Sequence, residues 1–315
     1  MADKIATREA YGAALAEFGA DPNLVVLDAD LSKSTKTDTF KKKYPERFFN
    51  IGIAEGNMMS VAAGIASCGK TVFASTFAIF AALRACEQIR NSICYPKLNV
   101  KIGATHAGIS VGEDGASHQA VEDVGVMRSI PNMTVLSPSD GPSTRLAVKA
   151  AIEHQGPVYL RLGRLAVPVI YNDAMLKDFS LGKGILLRDG KDLTIAATGL
   201  MVHEAIKAAD MLAAEGVSAR VLDFHTLKPI DRDLIIQAAR ETGRIVTAEE
   251  HNMYGGLGSA VAEILAENYP VPVRMVAIRD QFGKSGKPDR LIERYKLTAQ
   301  SIVDNARMLL AAGRD

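Results

Sequence analysis

The stretch NVKIGATHAGISVGEDGASHQAVED, residues 99–123, decides how the rest of the chain is read. Its first part, NVKIGAT (99–105), has the length and β-branched content of a buried strand. It runs directly into a polar, glycine-rich segment, and the ends of strands are where open α/β sheets hold ligands. The whole stretch carries two histidines, His106 and His118, four carboxylates and four glycines, a mixture that suits a tight site loop better than a core. A plain solvated loop is the competing reading. A metal site is not expected, because the histidines and acids show no compact ligand spacing.

Outward from this segment the chain alternates. Strands are expected at 24–30, 71–76, 134–138 and 158–162, with helices near 6–19, 54–67, 79–93, 117–128 and 140–154. The strands are almost continuously apolar, as they are when both faces of a parallel sheet are covered. The pattern loosens between 165 and 190 and then resumes. Strands are expected at 193–199, 219–224, 244–250 and 273–280, and helices near 201–215, 231–241, 257–267 and 298–312. In the first of these helices Ala205, Ala208, Ala209 and Leu212 share one face. The expected fold is α/β, with two consecutive open, mostly parallel sheets flanked by helices. The first domain covers 1–170, a connection 171–190, and the second domain 191–315.

Composition narrows the function classes. The 315 residues are 48% hydrophobic and 23% charged, with a net charge of +1. No global field therefore favours nucleic acid or an acidic membrane, and neither is an expected partner. No apolar run approaches the roughly 20 residues needed to span a bilayer. The N-terminal MADKIATREA does not read as a secretion signal, and a cytoplasmic location is expected. The cysteines, Cys68, Cys86 and Cys94, form no Cys-x-x-Cys pair and are expected as buried or semi-buried thiols.

Three further segments bear on chemistry. In FFNIGIAEGNMMSVAAGIA (48–66), Glu55 begins an otherwise apolar helix. A helix N-terminus favours a carboxylate there, but apolar surroundings also make a place where a carboxyl can be tuned. In STFAIFAALRACEQIR (75–90), Phe77 and Phe80 share a helical face, which by itself reads as core packing. GGLGSAVAE (255–263) looks like a dinucleotide-binding turn, but Val261 stands where the third glycine belongs. Close helix–strand packing is the better reading of Gly256 and Gly258.

Taken together, LDADLSKSTKTDTF…ERFFNIGIAEGNMM, STFAIF…EQIRNS and KIGATHAGISVGEDGASHQAVEDVGVMRSIPNM resemble the pyrimidine-binding domain of transketolases in order and spacing. The rest resembles that family's C-terminal domain, so the likeness covers essentially the whole chain. The resemblance implies a thiamine-diphosphate enzyme that moves a two-carbon ketol unit from a ketose phosphate to an aldose phosphate. It implies that Glu55 hydrogen-bonds the cofactor's aminopyrimidine and favours its imino form. Phe77 and Phe80 would pack on that ring. Where the family often has a tyrosine one turn further on stands Leu83, so a polar contact there is absent or replaced. His106 and His118 would touch the sugar hydroxyls, and either could carry protons. Asp114 would contact the acceptor, and Arg8, Ser34 and Arg164 would clamp the sugar phosphate. The nearby Arg161 competes with Arg164 for that role.

The family binds the cofactor diphosphate and its metal, Mg2+ or Ca2+, through a Gly-Asp-Gly…Asn motif, and no Gly-Asp-Gly occurs in this sequence. The resemblance therefore implies a second polypeptide, an N-terminal transketolase subunit, and an α2β2 assembly. Two rival readings stand beside it: half of another thiamine enzyme, such as a deoxyxylulose-phosphate synthase or a 2-oxo acid dehydrogenase beta subunit, and a non-catalytic interaction subunit.

Overall fold

The computed structural model describes residues 4–312. The strands, in chain order, are β1 (Lys4–Ala6), β2 (Leu24–Asp28), β3 (Phe48–Asn50), β4 (Thr71–Phe77), β5 (Val100–Thr105), β6 (Thr134–Leu136), β7 (Val158–Arg161), β8 (Ala166–Pro168), β9 (Ile185–Arg188), β10 (Leu193–Ala197), β11 (Ala219–Asp223), β12 (Thr226–Lys228), β13 (Ile245–Asn252) and β14 (Val273–Ile278). They build a seven-stranded sheet in the order β12-β6-β7-β5-β4-β2-β3 and a five-stranded sheet in the order β14-β13-β10-β11-β9. All pairings within the first sheet are parallel except β12 with β6, and in the second only β9 runs antiparallel. A small antiparallel ribbon joins β1 to β8.

The apolar strands are buried because helices cover both sheet faces. Every residue of β2, β4, β5 and β7 is buried. The helix Glu55–Ser67 lays Met58, Met59, Ala62 and Ala66 on the sheet, while Gly56, Ser60 and Gly64 stay off the core. Lys101 is the exception to apolar β5. Its stem lies in the core and its Nζ donates to the carbonyls of His154 and Gly156 at 2.7 and 2.6 Å, which satisfies the buried amine. The core runs on across the two sheets, with Phe224 and Leu227 in one cluster with Met127, Ile130 and Met133.

Several elements differ from the sequence-based expectation. The helix expected near 117–128 starts only at Asp123. The Gln119 amide donates to the carbonyls of Ile109, Gly112 and Lys284, and such side-chain bonds hold residues 112–119 in turns. The helix expected near 79–93 is a short α-turn, Cys86–Gln88, between π-helical stretches Phe80–Arg84 and Ile89–Cys94. The stretch 171–190 is not all connection, because β9 within it pairs with β11 of the second sheet. In the opposite sense, β12 follows β11 but pairs with β6 of the first sheet. Of the three thiols, Cys94 is buried, Cys86 is half-buried, and Cys68 is exposed at the end of its helix, contrary to expectation.

The turn at Gly256 has a filled helix N-terminus. The Glu249 carboxylate accepts from the amides of Leu257 and Gly258 at 2.7 and 2.8 Å. A Cβ on Gly256 would lie 1.9 Å from that carboxylate, so glycine serves close packing there, as the sequence suggested.

Candidate active site

Parallel strands point the same way, so the residues just after them meet at one edge of the sheet. That geometry brings the expected site residues together from distant parts of the chain. Ser34 follows β2, Glu55 follows β3, Phe77 ends β4, His106 follows β5 and Arg164 follows β7. Phe77 lies in register with Thr105, which sets the next residue, His106, beside it.

The rings form a continuous stack. His106 lies on Phe77 with centroids 3.9 Å apart and planes 27° from parallel. Phe77 in turn stacks with Phe80 at 5.8 Å and 19°. His118 meets both phenylalanines edge-on, at 6.3 and 5.3 Å. Such offset and edge contacts are the favourable arrangements for aromatic rings. They also turn the pair read as ordinary core into the wall of a site.

The protonation of His106 follows from its partners. Arg8 Nη1 lies 3.1 Å from His106 Nε2, and a guanidinium can only donate, so Nε2 accepts. The ring proton is then on Nδ1, which donates to Thr105 Oγ1 at 3.0 Å. Burial pushes the His106 imidazole down to about 3, and the charges of Arg8 and Arg164 add to the effect. His106 is therefore a neutral acceptor near neutral pH. Its imidazolium is costly to form in that setting.

Glu55 opens its helix and is 5% exposed. Its Oε1 accepts from Arg84 Nη1 at 3.3 Å, and among the described residues its second oxygen accepts no hydrogen bond. The Arg84 guanidinium also lies on Phe80, 3.8 Å from the ring centroid. One arginine thus touches both the buried carboxylate and the aromatic wall. Leu83 is 46% exposed and turned outward. No polar group stands at that position, and the polar side chain nearest to it in sequence, Arg84, is turned to Glu55 and Phe80. Reading by α-helical spacing missed Arg84, because the π-helical turn Phe80–Arg84 leaves no mark in the sequence.

The cations gather at the rim. Arg8 donates through Nη1 to the Ser34 carbonyl at 2.9 Å, and its buried Nε has no partner among the described residues. Ser34 is half-buried beside it. Arg164 Nη1 bonds the Val111 carbonyl and stands 3.9 Å from both Glu113 and Asp114. Asp114 is exposed on the loop. Arg161 is different. It is buried, with Nε donating to Asp123 at 2.9 Å and Nη2 to the carbonyls of Ala120 and Glu250 at 3.2 and 2.9 Å. With those bonds made inside the protein, Arg161 is structural and Arg164 is the arginine at the rim.

The loop itself is braced by the second sheet, which the sequence did not reveal. The Glu250 carboxylate, next to β13's Glu249, accepts from the amide of Ser110 at 2.6 Å. Gly108 has φ +79° and packs on that carboxylate, where a Cβ would come within 2.2 Å of it. Only glycine meets both demands.

A flat heteroaromatic ring with a hydrogen-bonding edge fits these residues. The near-parallel phenylalanines offer an apolar wall, and Glu55 has an uncommitted carboxylate oxygen at its side. Among the described residues no group of three or more His, Cys, Asp or Glu side chains could hold a metal ion.

Comparison with known proteins agrees with this geometry. Residues 3–169 match the family described as transketolase, pyrimidine binding domain, and residues 182–302 match transketolase, C-terminal domain. A putative transketolase C-terminal section from Methanocaldococcus jannaschii is 50% identical over 297 residues, covering 94% of this chain and 93% of that one. The transketolase of Rattus norvegicus is 41% identical over 318 residues, covering 99% of this chain but only 50% of the rat protein, so the chain spans about half of it. Among solved structures, a split gene transketolase described as an inactive beta4 tetramer superposes with a TM-score of 0.92 at 58% identity, covering 98% of this chain and 100% of that one.

Proposed function

Because this chain belongs to the transketolase family, whose members transfer ketol units with thiamine diphosphate, we propose that it is the pyrimidine-binding subunit of a two-polypeptide transketolase. The observation that carries the proposal is Glu55: a buried carboxylate with one oxygen uncommitted, set beside two stacked phenylalanines at the carboxyl edge of a parallel sheet. The split organisation is supported by the end-to-end match to a split-gene chain. The diphosphate and its metal, Mg2+ or Ca2+, fall to an N-terminal partner subunit, and the assembly is α2β2.

Thiamine diphosphate, when bound, supplies a nucleophilic carbon and an electron sink for cleaving a bond beside a carbonyl; the protein supplies position and electrostatics. Glu55 holds a proton at the ring nitrogen through its uncommitted oxygen. Phe77 and Phe80 keep water off the ring. His106, neutral in its buried setting, has one acceptor, Nε2, which now takes Arg8; a sugar hydroxyl is bound there when it replaces Arg8 on that lone pair. His118, edge-on to both phenylalanines, faces the same space and is the better placed of the two histidines to move a proton. Arg8 and Arg164, with Ser34, clamp the substrate phosphate by charge-assisted hydrogen bonds. Asp114, tethered near Arg164, reads an acceptor hydroxyl.

The test is reconstitution. Purified chain with thiamine diphosphate and Mg2+ should show no ketol transfer, and addition of the N-terminal subunit should restore it. Robust turnover by the chain alone would overturn the two-polypeptide reading.

A further inference from the structure

Arg84 belongs to none of the roles assigned above, yet it makes two contacts inside the cofactor site. Its Nη1 lies 3.3 Å from Glu55 Oε1, and its guanidinium lies 3.8 Å from the Phe80 ring centroid. The backbone explains why this residue and not its neighbour reaches them. Phe80–Arg84 is π-helical, and the Ala85 amide donates to the Phe80 carbonyl at 3.3 Å. With i→i+5 bonding, the residue four positions on comes to lie over Phe80, and the residue three positions on swings out. Leu83, at 46% exposure, is the one displaced.

A carboxylate has two oxygens, and its orientation is free unless something holds one of them. Arg84 engages Oε1. Attraction to the Phe80 face holds the guanidinium in turn, 3.8 Å from the ring centroid. The wall that receives the cofactor ring therefore also sets the carboxylate that must meet that ring's edge. We infer that Arg84 is a positioning residue, which holds Glu55 by one oxygen so that the other is presented to the aminopyrimidine. This rests on the cofactor reading above and goes beyond it, since Arg84 acts through Glu55 and needs no contact with cofactor or substrate.

The experiment uses the two-subunit complex with Arg84→Ala and Arg84→Lys, and reads hydrogen–deuterium exchange at the thiazolium C2 of bound thiamine diphosphate. Cofactor affinity by calorimetry and the melting temperature are measured alongside. At saturating cofactor, Arg84→Ala should slow exchange about tenfold, the lower value of one charge-assisted hydrogen bond. Arg84→Lys, which can still donate to Glu55, should return exchange to within about threefold of wild type. In steady state kcat should fall while the acceptor KM stays put. Unchanged exchange in Arg84→Ala, with fast exchange in wild type, would overturn the inference and leave the cofactor reading intact. So would tighter cofactor binding by Arg84→Ala, because it would make Arg84 a competitor for the ring. Equal slowing in both variants with a shared fall in melting temperature would assign Arg84 to the fold instead. Absence of exchange in the wild-type complex would sink the cofactor reading and this one together.

Discussion

Arg161 and Arg164 leave the same strand end, and they use their charge in opposite ways. Arg161 lies in a closed network. Asp123 accepts from both its Nε and the Tyr159 hydroxyl, each at 2.9 Å, and two carbonyls take another guanidinium nitrogen. Arg164 lies at an open rim, with a carbonyl as its one close partner and two exposed acids at 3.9 Å. The same contrast separates two whole regions. The network of Asp123, Arg161 and Tyr159 at the interdomain seam spends its polar groups on the protein itself. The sheet edge at Glu55, His106 and Arg8 keeps some of its hydrogen-bonding capacity free. A buried polar group satisfied by protein contributes to one folded arrangement, and one left partly free is available to a ligand.

Substitutions at the two regions should therefore fail in different assays. The largest expected effect is Glu55→Gln. The amide keeps the size of the side chain and an oxygen for Arg84, but loses the carboxylate. Turnover of the assembled complex should fall by about 10^2- to 10^4-fold, the usual worth of a positioned acid–base group, with an unchanged melting temperature. Retention of wild-type turnover would remove Glu55 from the chemistry.

Next comes Asp123→Ala in the closed network. It strands a buried guanidinium and should destabilise the chain by about 3–5 kcal/mol in urea unfolding. Asp114→Ala, at the open rim, should change stability by less than about 0.5 kcal/mol. Similar losses for the two would erase the distinction between the regions.

Arg164→Ala sharpens the comparison from the other side. Loss of a charge-assisted hydrogen bond, worth about 1.5–3 kcal/mol, should cut kcat/KM for a phosphorylated acceptor by roughly 10- to 150-fold. Hydroxypyruvate with glycolaldehyde, which carry no phosphate, should be nearly unaffected. Equal effects on both substrate pairs would reject Arg164 as a phosphate contact.

A further effect is a pH dependence at the seam. Burial pushes the Asp223 carboxyl up to about 7 and nearby Asp140 adds to the shift, while hydrogen bonds from Ser139 and Tyr171 oppose it. The folded state thus favours the protonated acid. Its stabilising contribution is complete below the unfolded value, about 3.9, and is lost as the pH rises through about 7. Asp223→Asn cannot ionise, so its urea midpoint should fall less than that of wild type between pH 5 and 8. Parallel pH curves for the two proteins would count against an uncharged Asp223.

Much of the fold was legible because buried parallel strands must be apolar on both faces. The runs at 24–28, 71–77, 100–105 and 158–161 stand out for that reason. The five strands that escaped, β1, β3, β8, β9 and β12, have three or four residues each, too few to show a period. Within the site, the chemistry-bearing types at Glu55, His106 and the GEDG loop could be singled out by composition. Arg84 could not, since a π turn has no signature in one sequence and moves the reading frame of a helix face by one position.

The sequence by itself determined the alternation of strands and helices, the carboxylate at the head of an apolar helix and the glycine-rich loop after β5. These are local facts of residue type and spacing. Only the tertiary structure decided which arginine is free, which tautomer His106 holds, and that Glu249 fills the helix N-terminus after Gly256. The first two depend on a partner far away in the chain, and the third on a turn that brings Glu249 back over residues 257 and 258. Arg161 and Asp123 are 38 residues apart, and His106 and Arg8 are 98 apart. Charge, burial and hydrogen-bond satisfaction are properties of a neighbourhood, and the neighbourhood exists only once the sheet has brought its strand ends together.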